Sequence, residues 1–191
     1  MPQPRKQLLI DTAYRLFNEH GYHATGIDWV LAESGVSKAT LYKYFRSKEE
    51  LILAVLQQRH EQQIALIQRT LEQASEKGEP PALAIFDALD NWFRSEGFFG
   101  CNFINASAEY AQEGDAIYQF AAGHKAQVQQ LIENSLSTGG EDKTHLAAQL
   151  SLLVDGAIVY AHTRGDKNAA NLAKKMAARL LAGKQTSEIP Q

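Results

Sequence analysis

Residues 24–51 read ATGIDWVLAESGVSKATLYKYFRSKEEL, and this stretch decides the fold. Ile27, Val30 and Leu31 recur on one helical face, and Thr25 stands where an N-cap belongs. That short helix stops at Ser34-Gly35, where glycine can take a left-handed turn at no steric cost. Val36 can plug the small core between two helices, and Ser37 opens the next helix, which runs to about Phe45. Ser47 caps a fourth helix with Glu49 and Glu50 in its first turn, favourable against the helix dipole. Two short helices joined at Gly35-Val36-Ser37 predict a helix-turn-helix, whose second helix enters the DNA major groove.

The helix that starts at Lys38 has one apolar stripe, Leu41 and Phe45, four residues apart. Ala39, Tyr42, Lys43 and Arg46 share the opposite side, flanked by Thr40 and Tyr44. A surface that meets DNA needs donors for phosphates and slim or apolar groups for base edges, and this face carries both.

Working outward, residues 5–20 form a leading helix on Leu8, Leu9, Thr12, Ala13, Leu16 and Phe17, ended by His20-Gly21. The fourth helix spans about Lys48 to Ser75, and Glu76-Lys77-Gly78-Glu79-Pro80-Pro81 is the clearest linker. Helical patterns resume at 82–95, 101–113, 115–137, 143–164 and 167–182, and no alternating strand pattern occurs. The expected architecture is all-α, about nine helices, with a three-helix head (residues 1–48) on a larger body (residues 49–191). The last two helices are rich in Ala and Leu at helical spacing, which suits close helix packing and a homodimer interface.

Of 191 residues, 19 are basic and 22 acidic, a formal net charge of −3 that advertises no polyanion partner. Split after Lys48, however, the head holds seven basic against four acidic residues, and the remainder 12 against 18. A basic head on an acidic body is the asymmetry expected when one end meets a polyanion. The single cysteine, Cys101, excludes an intramolecular disulfide and fits a reducing cytoplasm. The N-terminus has no signal-peptide run, and Asp155 cuts the longest late apolar stretch, so no membrane segment is expected.

Residues 35–51, with Leu16-Phe17, Gly21-Tyr22 and Thr25 upstream, resemble the signature of the TetR family of bacterial transcriptional regulators. The resemblance implies a DNA-binding regulator, most simply a repressor, that reads a palindromic operator as a dimer. Half-sites would lie one helical turn apart, roughly 34–36 Å. It implies phosphate contacts from Thr25, Thr40, Tyr44 and Lys48, and base-edge approach by Lys38, Ala39, Tyr42 and Lys43. Asp28 departs from the basic or neutral residue expected there. The family's last two helices form its four-helix dimer interface, and its body binds a small effector that releases DNA.

The stretch 92–110 concentrates aromatic residues beside polar ones, as a pocket requires. Its Gly-Cys-x-Phe-x-Asn-Ala-x-Ala-Glu run resembles a pattern in one subset of the family. Candidate effector residues are Trp92, Phe93, Phe99, Asn102, Asn105, Tyr118 and Tyr160. Cys101, at a helix start, is a candidate redox or electrophile sensor; control through it, or by a protein partner, is the alternative to a reversible effector.

Enzyme chemistry is not indicated. The six histidines lack a metal-ligand spacing, and the Gly-rich stretches lack the Lys-Ser/Thr of a phosphate loop. Asp87/Asp90 and Glu109/Glu113 read as charges on solvated helix faces, so neither a cofactor nor a metal is expected.

Overall fold

The computed structural model describes residues 4–137 and 141–185, and among these residues it contains nine α-helices and no strand. They are α1 (Arg5–His20), α2 (Ile27–Ser34), α3 (Lys38–Tyr44), α4 (Lys48–Glu76), α5 (Pro81–Phe93), α6 (Asn102–Glu109), α7 (Ala116–Asn134), α8 (Glu141–Arg164) and α9 (Ala169–Gln185). The helix pattern of the sequence is reproduced, with one substantial change. α6 closes at Glu109, not near residue 113, because Tyr110 leaves the helical region at φ −109°, ψ 65°. The helix expected over 115–137 closes slightly early, at Asn134.

The chain divides into two compact units that do not follow chain order: residues 1–62 with 101–125, and residues 63–100 with 126–191. In the first unit, α2 and α3 pack against α1. Leu9, Ala13, Leu16, Phe17, Val30, Leu41 and Phe45 are buried there, as are Leu51, Ile52, Val55 and Leu56 from α4 and Phe103 and Ala106 from α6. Tyr22 is fully buried, stacks on Phe17 at 5.2 Å and donates its hydroxyl to the Asn102 carbonyl at 3.1 Å. Burial pushes its phenol pKa well above the usual value.

A second polar feature sits in the same unit. The His124 ring is 3% exposed and lies flat on Phe103, ring centres 3.5 Å apart. Its Nδ1 is 3.0 Å from Nδ1 of His60, which requires one ring to donate an N–H and the other to accept. Desolvation, aided by Lys125 and His60, brings the His124 pKa down from 6.5 to about 3.

In the second unit, α5, α8 and α9 pack on one another. Ile85, Phe86, Leu89 and Phe93 of α5 are buried there, as are Leu146, Leu150, Val154 and Ile158 of α8 and Ala170, Ala173 and Ala177 of α9. Asp87 accepts from Lys174 at 2.6 Å, and Asp90 accepts from Arg94 at 2.9 and 3.0 Å and from Asn171 at 2.9 Å. The α8 segment Asp142–Arg164 is long and apolar enough to cross a membrane by length and composition, so Asp155 does not cut it short as expected. One side of that helix is packed in the unit's core.

Because native His124 stays neutral where the unfolded ring takes a proton, stability is full above pH 6.5 and falls as pH drops toward 3. We expect a slope from this group approaching about 1.4 kcal/mol per pH unit. Urea unfolding at pH 7 and pH 5 should show a drop that is smaller in His124→Asn than in the wild type; equal drops would assign the loss to other groups.

Candidate nucleic-acid interface

Gly35 adopts φ 64°, ψ 14°, and its N–H closes α2 on the Leu31 carbonyl. This left-handed cap reverses the chain within two residues, and buried Val36 fills the corner as the sequence suggested. Ser37 caps α3 by accepting the Thr40 N–H at 3.3 Å, and its hydroxyl meets the Thr40 hydroxyl at 2.8 Å. At the start of α4, Ser47 accepts the Glu50 N–H at 3.3 Å while Glu50 reaches back to accept the Arg46 N–H at 2.7 Å. Capping residues thus fix both ends of the Ser37–Phe45 segment.

With Leu41 and Phe45 buried, the rest of α3 faces out. Lys38, Ala39, Tyr42, Lys43, Tyr44 and Arg46 are exposed, and Thr40 is half-buried. Tyr42 and Tyr44 keep 47% and 40% of their surface open, which no core-packing role would leave. Nζ of Lys38 lies 3.4 Å from Asp28, whose side chain is 86% exposed, so the acidic residue that looked out of place forms a loose surface pair with a candidate base reader. Lys48, the first residue of α4, donates to the His23 carbonyl at 3.2 Å. Partial desolvation lowers its pKa, opposed by the negative charges of Glu49 and Glu109.

Thr25 requires a correction. Gly26, not Thr25, is the N-cap of α2. Thr25 is fully buried, and its hydroxyl faces the Gly21 carbonyl at 2.8 Å and the Leu16 carbonyl at 3.3 Å. The single hydroxyl proton is committed to the turn, so this side chain is a strut and not a surface phosphate donor. The other seven DNA-binding candidates lie on one contiguous segment, residues 38–48, and none of them is buried.

The effector candidates are distributed between the two units. Trp92 and Phe93 surround Phe98, with ring centres at 5.0 and 4.9 Å. Asn102 is corrected as well: it is 3% exposed, its amide donates to Asn18 at 3.1 Å and its carbonyl accepts from Tyr22, which makes it a packing residue. Phe99, Asn105 and Tyr118 are half-buried. Tyr160 lines an open apolar groove between α8 and α9 with Leu152, Leu153, Leu172 and Met176, a groove the other six candidates do not line. Cys101 is 3% exposed at the start of α6, a burial that shields the thiol from dissolved oxidants.

Sequence reasoning passed over Glu109, read as solvated charge. Its carboxylate accepts the N–H groups of Tyr22 and His23 at 2.8 and 2.6 Å. The partners are 87 and 86 positions away, so no local pattern marks them.

An exposed, capped second helix behind a left-handed turn, in a chain whose described residues form helices and no strand, is the arrangement of a helix-turn-helix DNA-binding regulator. Residues 9–55 match the family described as bacterial regulatory proteins, tetR family. The chain is 31% identical over 157 residues to the HTH-type transcriptional repressor ComR of Escherichia coli K12, covering 77% of this chain and 74% of ComR. It is 26% identical over 168 residues to the uncharacterized regulator YxaF of Bacillus subtilis, covering 85% and 87%. Among solved structures it resembles SCO4454, a TetR-family regulator from Streptomyces coelicolor, at TM-score 0.82 and 28% identity over 94% of this chain and 95% of that one. The chain belongs to the TetR family of bacterial transcriptional regulators.

If the Thr25 hydroxyl serves the turn, Thr25→Val should lower the stability of the head by about 1–2 kcal/mol, since buried carbonyls lose their donor. DNA affinity of the folded fraction should stay within about twofold of wild type. Denaturant melts paired with titrations on one duplex check this; a large affinity loss without a stability change would return Thr25 to the DNA surface.

Proposed function

We propose that the chain is a cytoplasmic transcriptional repressor that binds a palindromic operator as a homodimer and is released by a small effector. The observation that carries the reading is the outward face of α3. Lys38, Ala39, Tyr42 and Lys43 are exposed together while Leu41 and Phe45 anchor the helix from behind. In this reading those four side chains approach base edges, and Thr40, Tyr44 and Lys48 hold the phosphate backbone and set the register. Repression is favoured by ComR, the 31% relative, which is named a repressor.

The dimer rests on the apolar surface of α8 and α9. Leu152 is 74% exposed, Leu172 51%, Met176 47% and Val159 43%, a concentration of large apolar groups that a lone chain would leave wet. A second copy would cover them by a two-fold contact, pairing α8 and α9 with their counterparts. Tyr160 then belongs to the subunit contact, leaving Trp92, Phe93, Phe99, Asn105 and Tyr118 as effector candidates.

Release follows from differential affinity. An effector that prefers a conformation with wrongly spaced heads lowers DNA affinity by the same factor by which DNA lowers effector affinity. Helix α4 starts at Lys48 and contributes residues to both compact units, so it is the element through which such a preference would be read.

The test is binding to a duplex selected by this protein from a random double-stranded library. We expect a palindromic sequence, a loss of about tenfold or more in Tyr42→Ala, and a salt dependence flatter by about one unit per subunit in Lys48→Ala. Wild-type affinity and slope in both variants would refute the placement of α3 and Lys48. Leu172→Glu should shift the mass in sedimentation from dimer to monomer and reduce operator binding with it; an unchanged dimer would move the interface elsewhere.

A further inference from the structure

The turn between α1 and α2 is held by groups far away in sequence. Glu109, the last residue of α6, accepts the Tyr22 N–H at Oε1 (2.8 Å) and the His23 N–H at Oε2 (2.6 Å), with His23 Nδ1 at 3.2 Å. Two successive backbone N–H groups aimed at one carboxylate form an anion-binding nest. The approach is close enough that a Cβ on Gly21, itself at φ 86°, would lie 3.1 Å from Oε1. At the other end of α6, Asn102 accepts the Tyr22 hydroxyl and donates to Asn18. Both ends of α6 therefore hold the same turn.

The opposite side of that turn faces α4. The His23 carbonyl accepts Nζ of Lys48 at 3.2 Å, while the His23 N–H is held by Glu109. One residue is thus gripped at its donor by a carboxylate from α6 and at its acceptor by the lysine assigned to the DNA backbone. We infer that Glu109 is a positioning residue for DNA binding: by holding the His23 backbone it fixes where Lys48 presents its ammonium to phosphate, and it makes that contact depend on the place of α6. The inference rests on the proposed role of Lys48. Glu109 also acts on the ammonium through space, since its negative charge favours the protonated lysine against the desolvation that disfavours it.

The alternative is that Glu109 merely props the fold. A prop and a positioning residue differ in coupling. If Glu109 acts through Lys48, removing both should cost no more DNA affinity than removing Lys48 alone; if it only props the head, the two losses should add.

The experiment uses the full chain, Glu109→Gln, Glu109→Ala, Lys48→Ala and the Glu109→Gln/Lys48→Ala pair. Each is titrated on a 40-bp duplex of arbitrary sequence at low salt, because a phosphate contact is read on any sequence. Amide exchange at Tyr22 and His23 is followed in parallel. In Glu109→Gln we expect those two amides to exchange about tenfold faster, and DNA affinity to fall about threefold to tenfold in the wild-type background but not in Lys48→Ala. Glu109→Ala should show the same pattern, larger; should it fail to fold, Glu109→Gln carries the test. Additive losses, or an unchanged affinity in Glu109→Gln, overturn the inference. Unaltered exchange at Tyr22 and His23 overturns the clamp, and the inference with it. Equal affinity and salt slope in wild type and Lys48→Ala overturn the placement of Lys48, and the inference falls with it.

Discussion

A seven-residue helix does not hold its shape in water, because nucleation costs more than so few hydrogen bonds return. α3 exists only because Leu41 and Phe45 are buried against the head, with Val36 closing the corner and Ser37 satisfying the first turn. The same burial determines which side chains the helix presents. Two anchors four residues apart leave room for one interior stripe, so the remaining side chains of the helix are turned outward by geometry. The presentation of Lys38, Ala39, Tyr42 and Lys43 on one face is therefore a consequence of how the helix is anchored.

Behind α3, the Gly21–Thr25 turn serves as a junction. Tyr22 goes into the core, Thr25 goes under the turn to the Gly21 and Leu16 carbonyls, and the backbone of His23 meets Glu109 on one side and Lys48 on the other. Five consecutive residues thus contact α1, α4 and α6. Where the bonds are buried, at the Thr25 and Tyr22 hydroxyls, losing a partner would strand a donor or acceptor that water reaches poorly, which is costlier than the modest net worth of each bond. The junction lies within the unit that joins residues 101–125 to residues 1–62.

The two histidines and the two terminal helices illustrate different uses of apolar surface. His124, flattened on Phe103 and facing His60, is a polar ring made to behave as part of a core, and its lowered pKa expresses the penalty of charging it there. α8 divides its apolar residues between the core, through Leu146, Leu150 and Val154, and an open groove, through Leu152 and Tyr160. That two-sided distribution is why the helix has the composition of a membrane span: one stripe fills the core and a second lines an open groove.

Local chemistry made much of this legible. Helical spacing of apolar residues, Gly35 at the turn, Ser37 and Ser47 at the caps and the basic head are all properties of neighbours within a few positions, and they determined the helix-turn-helix and its outward face. Where the reading went astray, the deciding partner was remote or the local signal was ambiguous. Thr25 has the right chemistry for an N-cap or a phosphate contact, but the packing of α1 directs its hydroxyl inward. Asn102 has the polarity of a pocket residue, yet its side chain is buried and its amide is spent on Asn18. Glu109 looks like surface charge beside Glu113, and only the meeting of α6 with the first turn turns it into an acceptor for two backbone donors. Sequence alone established which side chains of α3 face outward, because one short helix has one interior stripe; tertiary structure alone decided which polar groups hold the turn between α1 and α2, because a hydrogen bond across more than eighty residues leaves no periodicity to read.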